Sequence, residues 1–243
     1  YCINIYAYKP PGACPAYFFF IDYCKMSVTY LQHQPDPKTL KKPVQGLTLK
    51  GDRIQLLPLD PSKDYKVLYN ISKDKHDWIW QFMPYGPFKD ESEFLEYTNA
   101  QQSNPNTVAF TIFDVQSQQK IGVVSILNIS AIFKRFEIGG IWFTPTFHRT
   151  YANTETCYLL LKHAFEDLGY RRVEWKCDNR HSKSKAAAQR LGFSPEGVFR
   201  QHMMIKGLNR DTAWFGMIDK DWKDTVKDKF EKKMLYPKKV KDN

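Results

Sequence analysis

Few side chains among these 243 residues combine a reactive type with a telling position. His148 and His181 can titrate near neutral pH or hold a phosphate, but a lone histidine is more often structural. The histidines and cysteines form no cluster at zinc-ligand spacing. The five cysteines, Cys2, Cys14, Cys24, Cys157 and Cys177, include no C-x-x-C pair. No structural metal is therefore expected, and a reducing, cytoplasmic setting fits best. Cys157 and Cys177 fall on apolar faces and read as core. The segment WIWQFMPYGPF (Trp78 to Phe88) is an aromatic loop broken by Pro84, Gly86 and Pro87. It can close one end of the core or wall a substrate pocket, and both readings stand. Within the β-rich run EIGGIWF (Glu137 to Phe143), the Gly139-Gly140 pair marks a bulge or a close backbone approach.

The elements that must position these residues follow from periodicity. Leu47, Leu49, Ile54, Leu56 and Leu57 suggest a strand or short hairpin stopped by Pro58 to Pro61, and Ser62 then caps a first helix. Asp90 caps a second. Thr107 to Phe113, Ile121 to Ile129 and Phe136 to Phe143 read as a meander. Cys157, Leu160, Leu161, Ala164, Phe165 and Leu168 make an apolar stripe at helical period, ended by Gly169. In Arg171 to Cys177 the apolar Val173, Trp175 and Cys177 alternate with Arg172, Glu174 and Lys176, which predicts a strand with one buried face. Strand, helix and strand then form a right-handed crossover with a parallel pair. Ser182 to Leu191 is an Ala-rich helix closed by Gly192. Gly197 to Ile205 and Asp211 to Ile218 form a hairpin around KGLNR (Lys206 to Arg210).

A 42% apolar content over this length supports one domain, expected over residues 43–222. Residues 1–42 read as an irregular extension, and 223–243 as a solvated basic tail. The chain begins with Tyr1 and its first methionine is Met26. The natural start can lie there, with residues 1–25 foreign to it, or a longer parent has been cut. Cys14 to Cys24 is apolar but about half the roughly 20 residues of a spanning helix, and no membrane association is expected. The formal charge of +10 and pI of about 9.2 favour an anionic partner. Nucleic acid, a membrane surface and a phosphorylated small molecule all satisfy that.

The order β-α-α-β-β-β-α-β-α-β-β, with EIGGIWF, a Pro145 to Glu155 turn of P-x-x-H/Q type and AAAQRLGFSPEGVFRQH (Ala186 to His202), resembles the GCN5-related N-acetyltransferase (GNAT) family. The likeness is narrower to its RimJ/RimL branch and covers about Leu47 to Trp222. It implies an α+β fold: a mixed sheet of about six to seven strands with a splayed parallel pair, flanked by about four helices. The implied co-substrate is acetyl-CoA and the implied acceptor a primary amine, on a protein N-terminus or a small molecule, attacking directly in a ternary complex.

The resemblance also assigns residues. The pantetheine arm would pair with backbone at Ile141, Trp142 and Phe143, one N–H of which would polarise the thioester. The turn and helix start Arg149, Thr150, Tyr151, Ala152, Asn153 and Thr154 would hold the pyrophosphate. Here His148, Tyr151 and Asn153 stand at the marked positions of Q/R-x-x-G-x-G/A, and His181 replaces the Asn of N-x-x-S that contacts the cofactor arm. Glu137 would be the base, against a reading as a strand-end carboxylate, and Ser184 the acid toward the leaving thiolate. Trp78, Trp80 and Tyr85 would line the acceptor pocket. The competing reading is a GNAT-fold module without catalysis that docks RNA, ribosome or protein through its basic surface.

Overall fold

The computed structural model describes residues 41–235. The expected extension over 1–42 falls almost wholly outside them. The strands are β1 (Leu49–Lys50), β2 (Ile54–Pro58), β3 (Val108–Asp114), β4 (Gln119–Ser130), β5 (Arg135–Phe143), β6 (Arg172–Asp178), β7 (Ser194–Ile205) and β8 (Leu208–Ile218). They form one sheet in the order β1-β2-β3-β4-β5-β6-β8-β7. All neighbours are antiparallel except β5 and β6, the pair joined by the crossover. The sheet has eight strands because the first hydrophobic run is a hairpin, with Leu49 opposite Leu56.

Helices α1 (Pro61–Ser72) and α2 (Glu91–Ser103) lie between β2 and β3 in sequence, α3 (Tyr151–Lys162) between β5 and β6, and α4 (Ser182–Leu191) between β6 and β7. Asp60, rather than Ser62, caps α1: its carboxylate accepts from the Ser62 N–H at 3.1 Å, and Pro61 takes the first helical position, where a missing N–H costs nothing. Asp90 caps α2 as expected, accepting from Ser92 and Glu93. α3 continues into a turn of π geometry, His163–Asp167. Gly192 ends α4 with φ of 100°, a left-handed conformation that a side chain strains.

Alternation along the strands splits the core in two. Phe110, Ile112, Val124, Phe136 and Phe143 pack with α3 residues Cys157, Leu160 and Leu161, whereas Ala109, Val123 and Trp142 pack with Leu68, Trp80 and Phe94.

The basic segment expected to be a solvated tail is instead helical through Met234. This run, α5, opens with Asp219–Asp221 and closes with Phe230–Met234. Trp222, Val226, Phe230 and Leu235 are buried in the larger core, with Trp222 stacked on Phe165 at 5.7 Å. Their spacing of four, four and five is a helical stripe masked by the surrounding lysines. Burial of each large side chain contributes about 1.5–3 kcal/mol.

Candidate active site

The parallel pair is short. β5 and β6 match at Arg135/Arg172, Phe136/Val173 and Glu137/Glu174, and no pairing follows. β6 then pairs only with β8, as far as Asp178 and Thr212. Across β4, Ser125 opposes Gly139 but Val123 opposes Trp142, so Gly140 and Ile141 together face Val124. That two-against-one bulge sits where Gly140 has φ of 57°, which glycine adopts without strain. The bulge bends β5 away from β6 and opens a fork.

The backbone beyond the bulge can be assigned side by side. The Thr144 N–H donates to Ile121 O at 2.8 Å, and a Cβ on Gly122 would lie 2.0 Å from Trp142 O, so Trp142 and Thr144 face β4. Polar groups of successive residues alternate edges, so those of Ile141 and Phe143 face the gap. Of the three residues expected to meet the cofactor arm, Trp142 therefore turns its backbone to β4 and its indole into the second core. His148 reaches the gap: its Nε2 lies 3.1 Å from Phe143 O, placed to donate.

At the crotch of the fork Glu137 is 5% exposed. Its Oε2 accepts from Asn128 Nδ2 at 2.6 Å and is paired with Lys176 Nζ at 2.6 Å. Lys176 also stands 4.5 Å above the Trp214 ring. Glu174, on the same face, is held by Arg135 and Arg172. The polar face of β6 is thus an ion-pair ladder, not a solvated row. Sequence reasoning missed Lys176 and Asn128. Only the rule that strand-paired positions share a face pointed to Lys176, two residues past Glu174.

The α3 start is wired by side chains with partners of their own. Arg149 takes a left-handed φ of 61°, Thr150 Oγ1 accepts from the Ala152 N–H at 3.2 Å, and Tyr151 donates to Asp114 Oδ1 at 2.6 Å under the Arg53 guanidinium. Burial first, then the adjacent Asp114 carboxylate, pushes the Tyr151 phenol up to about 12. Burial also pushes Asp114 upward, but hydrogen bonds from Tyr151 and Ser117 outweigh it and leave its carboxyl below the usual range. Asn153 Oδ1 accepts from the Cys157 thiol at 3.5 Å, and Thr154 Oγ1 accepts from Arg190 at 2.9 Å. The two bulky residues at motif positions, Tyr151 and Asn153, therefore make their contacts elsewhere. Glu155 is 3% exposed and accepts from the Arg53 and Ile54 N–H groups and from Arg53 Nε.

The α4 start differs. His181 precedes the helix without a side-chain cap and stacks on Phe82 at 4.5 Å and 17°. Burial, aided by the Lys183 cation, holds its imidazole below the ordinary value of 6.5. Ser184 Oγ accepts from Trp175 Nε1 at 3.1 Å and lies against the Cys177 thiol. Burial raises that thiol, and pushes Cys157 up to about 12, so both stay protonated.

The aromatic residues separate. Trp80 is fully buried, donating to Ser72 O at 3.1 Å and packing on Trp142; it is core, not pocket wall. Trp78 is 57% exposed. The half-buried Tyr85 brings its hydroxyl to the bulge, 3.2 Å from where a Cβ on Gly140 would sit, and burial pushes its pKa up to about 12. The β7–β8 hairpin meets the aromatic loop, since Lys206 Nζ donates to Trp80 O at 2.7 Å. Among the described residues no group of three or more His, Cys, Asp and Glu side chains is placed to hold a metal ion, and no helix is long and apolar enough to cross a membrane.

A sheet forked at one bulged parallel pair, with a helix start facing the opening, defines the GNAT class. The Acetyltransferase (GNAT) domain family model matches residues 53–194, and the chain belongs to that family. It is 29% identical over 101 residues to a Bacillus subtilis protein described as "Putative ribosomal N-acetyltransferase YdaF", spanning 42% of this chain and 55%, about half, of that relative. A GCN5-related N-acetyltransferase structure from Brucella melitensis superposes with a TM-score of 0.75 at 31% identity, covering 79% of this chain and 87% of that one. The microcin C7 self-immunity acetyltransferase MccE, solved in complex with acetyl-CoA and AMP, gives a TM-score of 0.61 at 25% identity over 69% of this chain and 93% of that one.

Proposed function

We propose that this protein is an acetyl-CoA-dependent N-acetyltransferase of the RimJ/RimL type, acting on a primary amine of a protein N-terminus or a small molecule. The observation that carries this reading is the open edge of β5: past the Gly140–Ile141 bulge, backbone polar groups of Ile141 and Phe143 face a gap that β6 has vacated. That edge suits an amide-bearing arm, and the left-handed Arg149 with the start of α3 suits its phosphates. The donor set therefore fits acetyl-CoA, which supplies an acetyl thioester.

The chain's own part is positioning and proton transfer. An N–H of Ile141 or Phe143 would donate to the carbonyl oxygen as charge grows there. Glu137, fixed at the crotch through Oε2, would take the amine proton at Oε1, directly or through one water. A peptide α-amino group, ordinarily near pKa 7.7–8.0, requires less of that base than a lysine near 10.4. Ser184 Oγ, held by the Trp175 Nε1 donor, would donate its own proton to the departing sulfur. The Tyr85 hydroxyl, beside Gly140, would border the acceptor side.

A screen of peptide N-termini and small amines with labelled acetyl-CoA tests this reading. Label transfer to at least one amine class is expected, together with a higher melting temperature in acetyl-CoA. Absence of any melting shift at millimolar acyl-CoA would sink the cofactor assignment. One observation favours the module without catalysis: the Glu137 carboxylate already has a cation, Lys176, at 2.6 Å. Salt-sensitive RNA binding without acetyl transfer would support that alternative.

A further inference from the structure

The segment from Trp78 to Phe82 touches both banks of the fork. On one bank the Trp78 ring meets the His148 ring at 5.7 Å, just before α3. On the other, Lys183 Nζ lies 4.5 Å over the same Trp78 ring, and Phe82 stacks on His181 at 4.5 Å, both at the start of α4. From behind, Lys206 clasps the backbone at Trp80. The segment is a strap laid from one helix start to the other across the mouth of the fork.

Lys183 has its short-range contact with an aromatic face, and no ion pair with a described carboxylate. The buried Nε of Arg210, whose charge acts on His181 together with that of Lys183, has no hydrogen-bond partner among the described residues. Asp178, whose carboxylate acts on His181, is already bound to Arg180 at 2.7 Å. A large exposed indole under a lysine that has no ion pair with a described carboxylate suits a ligand with a flat ring and phosphates.

Building on the acetyl-CoA reading, we propose that Trp78 and Lys183 form a seat for the nucleotide, phosphate-bearing end of acetyl-CoA. The thioester end lies deeper, at the bulge, and does not depend on them. Trp78 supplies an aromatic face for the adenine or a wall along the phosphates, and Lys183 supplies the cation. This role belongs to the α1–α2 connection of this chain, beyond the helix start and strand edge that hold the rest of the arm.

Titration calorimetry on the full chain separates the two ends, with CoA as one probe and S-acetylpantetheine, which lacks the nucleotide and its phosphates, as the other. Trp78→Ala is expected to weaken CoA by about tenfold, and Lys183→Gln by about threefold. Neither should change the affinity for S-acetylpantetheine, and Lys183→Arg should restore CoA binding. Both residues are exposed, so melting curves near that of the native chain are expected. Unchanged CoA affinity, or equal weakening toward both probes, overturns the seat while leaving the acetyl-CoA reading intact. Failure of the native chain to bind either probe overturns both.

Discussion

The two helix starts that flank the fork are built in opposite ways. At α3, polar side chains make directed bonds to fixed partners: Thr150 to its own helix, Tyr151 to Asp114, Thr154 to Arg190, and Glu155 to the backbone at Arg53 and Ile54. At α4, His181 has no side-chain cap, and ring stacking on Phe82 and a cation over Trp78 take its place. Directed bonds to buried partners fix a backbone, whereas ring stacking between half-buried side chains is less directional. The difference sets an α3 start held mainly by polar bonds beside an α4 start whose outer edge is held by ring contacts. Glu137, at the crotch between them, belongs with the fixed half.

Substitutions can break this contrast, and the largest effect is expected at Glu137. Glu137→Gln should lower turnover by about 10²- to 10⁴-fold while acetyl-CoA affinity, measured by calorimetry, stays unchanged. A parallel loss of binding would mean that the residue only braces the fork. Next comes Glu155→Ala, which strips a buried acceptor from two N–H groups and one guanidinium. Chemical denaturation should show a loss of about 3–5 kcal/mol, and a loss under 1 kcal/mol would show that α3 is not fixed this way. Tyr151→Phe removes one charge-assisted bond to Asp114 and should cost about 1.5 kcal/mol by the same measurement.

The smallest effect is expected at α4 and is read by pH. Burial, then the Lys183 cation, holds the His181 imidazole below 6.5 in the fold, with Asp178 favouring its protonation and Arg210 opposing it. Between its folded-state value and 6.5 the unfolded chain binds more protons, so stability rises with pH across that window and is lost as pH falls through it. The melting temperature should drop on acidification below about pH 6.5, the unperturbed value, and His181→Phe should flatten that slope while keeping the stack on Phe82. An unchanged slope in the variant would place the titration elsewhere.

The fork was legible in the residues because its causes are local. Gly139-Gly140 inside a β-rich run marks a bulge, the Cys157 to Leu168 stripe marks the crossover helix, and together they require a parallel pair. What escaped was set by distant partners. Lys176 reads as one of three charges on an outward strand face until the register brings it to Glu137. Tyr151 and Asn153 look obstructive at their motif positions until Asp114 and Cys157 are seen to take them. In WIWQFMPYGPF, only tertiary contact separates the core residue Trp80 from the exposed Trp78 two positions earlier. Trp222, Val226 and Phe230 were hidden by the lysines around them, because net charge describes the outer face of a helix and not its buried stripe.

Amide hydrogen exchange with and without acetyl-CoA tests the central claim most directly, because it reports on the β5 edge itself. Bound acetyl-CoA should slow exchange over Gly139 to Phe143 and over Tyr151 to Thr154, with little change along β3 and β4. Protection confined to other elements, or none at saturating acetyl-CoA, would contradict a cofactor arm laid in the fork.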